Sequence, residues 1–494
     1  MSGLQIQNLD PSRPATVLLD FFDQRGGGPR TYVRPGIASG ASSNFHPPSE
    51  SGLREGSYAG ILTAERPFRT LLLTGWWGST QATAFYNDAL TGRRIVVPVF
   101  SGFQPGPDDD PEGRLAGRLS SIVHVQNTDP GQWITATLRL RDSAGALLLE
   151  RPLGIGPGTS VSLDHAADSI LAALPYGSAG TLEASAAISL AVASHLDVQP
   201  WPHAAMAFEA MPVEHASTTL FAPLVASGQL ATWMAVHNPG EAPARLTLTY
   251  RRNADDSGRA CGAASIRHAG RPLLLPAGGL LILSQAPAGP SGLPAGCLAG
   301  AVIRSNLPLT AVVMIMDADR GTAAAYTAQT AGDAGRRVAL PLYRNQHTMD
   351  RRTTLIQVMN PSDSALDATL DVLDQTGSML PCPGCSGQIE ASSARLWDPL
   401  VTDGLRQRPG TYGSAVVKAE APVLAIVLES PMNDAVATDM ASYAGLAICL
   451  PEGGPDAARC RTRNALPHFG LADFGWVMPR PTGQAFLPLA ASWR

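Results

Sequence analysis

The sequence predicts an all-β chain: a linear array of four antiparallel β-sandwich domains, then a C-terminal linker and one orphan edge strand. Three observations carry the expectation. Composition is the first: 45% of residues are hydrophobic, 16% are charged, and 49 Gly and 41 Pro supply the residues that end strands and form turns. Second, the apolar residues alternate in short runs, the period of a half-buried strand, and helical periodicity longer than a turn or two occurs only around Asp164 to Leu174. Third, one pattern of strands and turns occurs four times. At 494 residues the chain is also too long for a single core, and ~100 to 150 residues per domain implies roughly three to five domains.

Each repeat opens on a strand that ends in asparagine: Leu4 to Asn8, Val123 to Asn127, Met234 to Asn238 and Leu355 to Asn360. A polar turn follows, then a second alternating strand: Ala15 to Phe22, Ile134 to Leu140, Ala244 to Tyr250, and Ala368 to Leu373. Asp and Gly then mark a hairpin, as in Asp142 to Gly145 and Asp374 to Gly377. Later a glycine (Gly60, Gly180, Gly300, Gly413) introduces a small-residue strand, followed by a strongly apolar one. The asparagines recur at intervals of 119, 111 and 122 residues, the size of a self-sufficient domain rather than a solenoid repeat.

Short alternating strands with turns every ~8 to 12 residues read as an immunoglobulin-like or fibronectin-like sandwich. The pattern resembles the tandem Ig-like repeats of bacterial extracellular and cell-surface proteins, over about residues 1 to 447. That resemblance implies architecture and an exterior location and leaves the ligand open. The expected divisions are 1–91, 92–213, 214–332 and 333–447 for the sandwiches, 448–484 for a Cys-containing linker, and 485–494 for the orphan strand.

Three repeats are preceded by an apolar strand with an internal proline: Val96 to Phe100 around Pro98, Leu220 to Val225 around Pro223, and Val338 to Tyr343 around Pro341. Proline cannot donate to a ladder, so an edge position is expected. The first repeat has no such strand ahead of it, while Phe486, Leu487, Pro488 and Leu489 form one with no repeat behind it. The two gaps are complementary. Donation of this strand to the first domain of the next molecule would build a head-to-tail filament, closure on its own chain would seal the array, and a cut from a longer array would leave the same pattern.

The six cysteines fall as neighbours, Cys261 with Cys297, Cys382 with Cys385, and Cys449 with Cys460, which favours three local disulfides and an oxidising compartment. A redox role for Cys382 and Cys385 needs a βαβ context, and here they sit at a hairpin. Asp108, Asp109, Asp110 and Glu112 supply hard oxygen ligands suited to Ca²⁺, against a reading as a solvated loop. Trp76 and Trp77 offer aromatic surface for a glycan or an interface, although one of two strand neighbours must face a core. Trp133, Trp233 and Trp397 read as core or hairpin residues.

Catalytic and cofactor-binding residues are not expected: no nucleophile elbow, zinc-protease helix, phosphate loop or dinucleotide fingerprint occurs in the sequence. A net charge of −5 without a basic cluster argues against nucleic acid. No run reaches the ~18 apolar residues of a membrane span. The expectation is a non-enzymatic extracellular or cell-surface structural protein, a filament or surface-layer subunit that pairs with itself. The alternative is a carbohydrate- or protein-binding adhesin or spacer whose partners are surface proteins or glycans.

Overall fold

A computed structural model describes residues 2–24, 28–46, 53, 58–75, 83–87, 90–103, 118–165, 168, 171, 179–199, 205–228, 230–254, 265–267, 272–285, 293–317, 319–347, 351–430, 440–448 and 483–487. Among these the protein is all-β and has no α-helix, and its strands pair antiparallel except where Asn253 and Ala254 run parallel to Ala394 and Arg395. Most of the expected helical stretch from Asp164 to Leu174 lies outside the described residues.

In the first repeat one sheet runs Ser42–Phe45, Ser2–Asn8, Phe68–Gly75, Thr83–Asn87, and the other Arg30–Ile37, Ala15–Asp23, Tyr58–Ala64, Gly483–Leu487. Alternation sends Leu4 and Ile6 from the first sheet and Val17, Leu19 and Leu62 from the second into one buried cluster. The later repeats use the same order, but one long strand runs through both sheets: Ala179–Gln199, Leu298–Asp317 and Thr411–Ser430. In the third repeat the start of Leu298–Asp317 pairs with Ala244–Ala254 and Ser217–Ala226, and its end with Leu230–His237 and Thr322–Thr327.

The repeated asparagines have one structural task. Asn8, Asn127, Asn238 and Asn360 are fully buried. Each side-chain NH2 donates to three carbonyls, for example those of Ser364, Ile389 and Glu390 from Asn360 at 2.8, 3.1 and 3.1 Å. Each Oδ1 accepts the amide two residues on, from Asp10, Asp129, Gly240 and Ser362. One side chain thus pairs backbone groups of two turns that burial would otherwise leave unsatisfied.

The second of those turns also recurs. The asparagine amides donate to the carbonyls of Ala41, Thr159, Gly279 and Ser393. The residue before each acceptor is left-handed: Gly40, Gly158 and Gly278 at φ of 69, 64 and 65°, and Ser392 at 54°. Glycine is the natural occupant, and Ser392 is the exception.

The units do not form the expected linear array. Buried clusters run from one unit into the face of the next. Ala193 and Ala207 of the second join the first unit's core, Val312 and Met314 of the third join the second's, and Ile426 and Leu428 of the fourth join the third's. Leu71 of the first unit then joins the core of the fourth, so the series closes. The inner strands Thr83–Asn87, Ala205–Glu209, Thr322–Thr327 and Ala441–Ala444 pack against one another in the same cyclic order. Four heterologous contacts of one kind, each repeating the last, make a closed ring.

Candidate functional site

The position of the C-terminal strand is the feature that sets this ring apart. In the third and fourth units the proline strands, Ser217–Ala226 and Gly335–Asn345, pair with the first half of the long strand. The residue before the proline, Ala222 or Leu340, faces Ala301 or Ala415. Each partner lies seven positions before a long-strand proline, Pro308 or Pro422. Gly483–Leu487 pairs with Tyr58–Ala64 so that Leu487, which precedes Pro488, faces Gly60, seven positions before Pro67. The tail therefore docks in the first unit, within the same chain, in the register of the built-in strands.

The expected edge position of the proline strands needs one correction. Ile95 and Val96 pair with Met211–Pro212, and Val338 and Ala339 with Leu446–Ala447, on the side away from the long strand. Proline's missing donor is accommodated at a break in register instead, between Ala222 and Val225 and between Leu340 and Tyr343. There the inner strand supplies a tyrosine. Tyr326 Oη accepts the amide of Leu224 at 3.1 Å and donates to its carbonyl at 2.5 Å. Tyr443 Oη treats Leu342 the same way, accepting its amide at 3.3 Å and donating to its carbonyl. Burial holds both phenols well above their ordinary value, so they stay neutral donors.

The four seams differ in what they bury. Between the fourth and first units Tyr412 Oη donates to Gln5 Oε1 at 2.6 Å and Ser414 Oγ to the Gly40 carbonyl at 3.3 Å. Nearby Glu429 is buried between Arg344 and Arg352, 2.8 and 3.1 Å away. Between the third and fourth, Asn253 and Gln357 exchange amide hydrogen bonds. Between the second and third, Leu280 donates its amide to Ser143 at 2.9 Å, and Arg94 Nη2 reaches the Pro239 carbonyl at 3.4 Å. His237 is buried there, and desolvation, then Arg94 and Arg141, push it down to about 3. Between the first and second, Gln24 Nε2 reaches Ser160 and Ser162 at 2.8 and 3.2 Å. Ser162 in turn lies 2.9 Å from His124 Nδ1.

Of the residues singled out in the sequence, Cys382 and Cys385 are joined by a disulfide with Cα atoms 5.3 Å apart. Cys297 is disulfide-bonded. Its expected partner Cys261 lies outside the described residues, as do Cys449 and Cys460. Trp76 and Trp77, the acidic group Asp108, Asp109, Asp110 and Glu112, and Pro488 and Leu489 lie outside them too. Phe486 and Leu487 are placed by their backbones in the closing strand. Trp233 and Trp397 are core residues as expected, whereas Trp133 is 76% exposed. Among the described residues no group of three or more His, Cys, Asp or Glu is gathered for a metal, and no helix is long and apolar enough to cross a membrane.

No protein-family model matches the chain, and no curated protein matches it either.

Proposed function

We propose that the protein is a non-enzymatic structural component of the cell exterior. In this reading its four units are Ig-like sandwiches, and its C-terminal strand is the element that seals one molecule and can link it to the next. The observation that carries this reading is the register of Gly483–Leu487 on Tyr58–Ala64, which repeats that of the proline strands in the third and fourth units. A strand that fits its own first unit fits the first unit of another copy equally well, because the two grooves are identical. The disulfide between Cys382 and Cys385 and the bonded state of Cys297 support an oxidising compartment.

Competition between closure and donation is set by mass action. A strand tethered to its own chain acts at an effective concentration on the order of millimolar. A dilute molecule therefore closes on itself. Donation takes over where copies are crowded, as in a surface layer, or where strands exchange during folding.

Size-exclusion chromatography with light scattering and negative-stain microscopy tests the reading, on the full chain and on a chain truncated before Gly483, across a concentration series. Oligomers or filaments that need the tail and grow with concentration are expected. Monomers of both chains at every concentration would end the donation proposal and leave a sealed ring.

A further inference from the structure

We infer that the seam between the first and second units is an acid-released joint, at which protonation of His124 and His195 parts the two units while each keeps its fold.

The inference starts from what equivalent positions hold in the other seams. Asn127 faces Leu190 on the long strand, and His195 lies five positions further on. The same count from the asparagine's level gives Met314 in the third unit and Leu428 in the fourth. His124, three before its asparagine, corresponds to Ala235 and Gln357. Where the third unit contributes Val312 and Met314 to its neighbour's core, and the fourth Ile426 and Leu428, the second unit contributes the alanines Ala193 and Ala207, and Ala191 packs with Phe22 and Ile61 of the first. An imidazole thus stands where the third and fourth units present Met314 and Leu428, so less apolar side chain is buried at that point of the seam.

Both imidazoles are buried, at 3% and 4% exposure, with ring centres 5.8 Å apart. Burial, then the neighbouring His195, pushes His124 down to about 3, and burial lowers His195 against the opposing pull of Asp197 and Asp164. Asp197 Oδ1 lies 3.5 Å from His195 Nε2. The titratable groups on the elements around the pair are Arg118, Asp164, Glu183, Asp197 and Glu209 in the second unit, and Asp20, Asp23 and Tyr58 on the facing strands of the first. The carboxylate held near His195 favours its charged form, but none of the described interactions offers His124 one.

Proton uptake then drives the parting. Closed, the pair resists protonation, whereas parted in water each imidazole titrates near its ordinary value of about 6.5. The parted form binds more protons, so acid favours it, by up to about a hundredfold per pH unit for two sites. The hydrogen bonds described across the seam are those of Gln24 to Ser160 and Ser162, and a long one from Gln126 Nε2 to the Gly60 carbonyl at 3.4 Å.

Small-angle scattering of the full chain between neutral pH and about pH 4, with far-UV circular dichroism on the same samples, tests this. The radius of gyration is expected to rise on acidification while the β signal stays unchanged. A chain carrying His124→Gln and His195→Leu, the latter being what the fourth unit has at that position, should stay compact over the same range. Hydrogen exchange of the unmodified chain provides a check that does not depend on the variant folding: protection should fall first in Ala15–Asp23, Tyr58–Ala64 and Ala205–Glu209. A chain that stays compact, that loses its β signal together with its compactness, that opens equally with both histidines replaced, or whose exchange rises uniformly would overturn the proposal.

Discussion

Tyr412 and Gln5, separated by 407 positions in sequence, meet across the seam that closes the ring, with the phenol donating to the amide oxygen at 2.6 Å. Gln5 is fully buried and its NH2 donates to Ser42 Oγ at 2.6 Å, so both ends of the amide are engaged. Replacing Tyr412 with Phe leaves the Gln5 oxygen without this donor in a buried seam, which costs about 1 to 3 kcal/mol. The loss should appear in denaturant melts and as faster hydrogen exchange in Ser2–Asn8. A Gln5→Leu change in the Tyr412→Phe background should recover part of it, because an apolar pair needs no partner.

Asn360→Asp should be among the most damaging conservative changes in the fourth unit. The carboxylate keeps the shape but loses the NH2 that serves three carbonyls, and it faces those carbonyls with negative charge in a fully buried site. A loss of about 3 kcal/mol or more is expected from thermal or chemical melts. The corresponding change at Asn8, Asn127 or Asn238 should cost a similar amount, since each holds the same set of bonds.

Strand positions within a unit were legible because alternation and turn chemistry are local. The second strands expected at Ala15, Ile134 and Ala244 begin at those residues, and that expected at Ala368 begins two residues earlier, at Leu366. Ring closure was not legible, for a physical reason. Gln5, Gln7, His124, Gln126 and Gln357 alternate with apolar neighbours and so read as the wet face of a half-buried strand. In the fold that face is buried against another unit, and Gln5, Gln126 and Gln357 hydrogen-bond across the seam. Alternation reports two unlike faces; it cannot tell water from a polar interface. The complementarity of the proline strand at Phe486 to Leu489 with the first repeat was legible, but donation to another molecule, closure on the same chain and a cut from a longer array all fitted it; which first unit the strand meets is a matter of three-dimensional reach that the sequence does not carry.

Gly158 is held at φ 64° with no room for a side chain: a Cβ there would lie 2.5 Å from Cε1 of Phe22 in the neighbouring unit. Gly158→Ala should therefore destabilise by about 2 to 4 kcal/mol, part from the left-handed backbone and part from the ring. The two parts separate in a double-mutant cycle. Phe22→Ala removes the clash and leaves the backbone strain, so the cost of Gly158→Ala should fall by about half in that background. Equal costs in both backgrounds would mean that the ring moves aside freely.

The Cys382 to Cys385 bridge closes a short loop beside the fourth unit's core, where Cys385 is buried and Cys382 is near the surface. The chain-entropy account gives about 2 kcal/mol for so short a loop. Changing both residues to alanine should lower the unfolding free energy by that amount, read from chemical melts. Exchange should rise in Leu366–Asp374 and Ser386–Ile389 and stay unchanged in the other units. A collapse of the whole ring would assign the bridge a larger role than its span suggests.

Acid should also act at the second seam through His237. Burial first, then Arg94 and Arg141, hold this imidazole at about 3 in the folded chain, against about 6.5 when free. The unfolded chain therefore binds the proton more readily. The stability that His237 contributes is fully present above pH of about 6.5 and is lost as pH falls from there towards about 3, bounded at about 5 kcal/mol. His237→Gln removes the titrating group, and its amide can still reach Thr310, whose hydroxyl lies 3.3 Å from the imidazole Nδ1. Melts at a series of pH values should show a shallower acid slope for the variant than for the parent, with the two converging in rank order near neutrality. An unchanged slope would mean that His237 is solvated before the ring opens and that other groups carry the acid response.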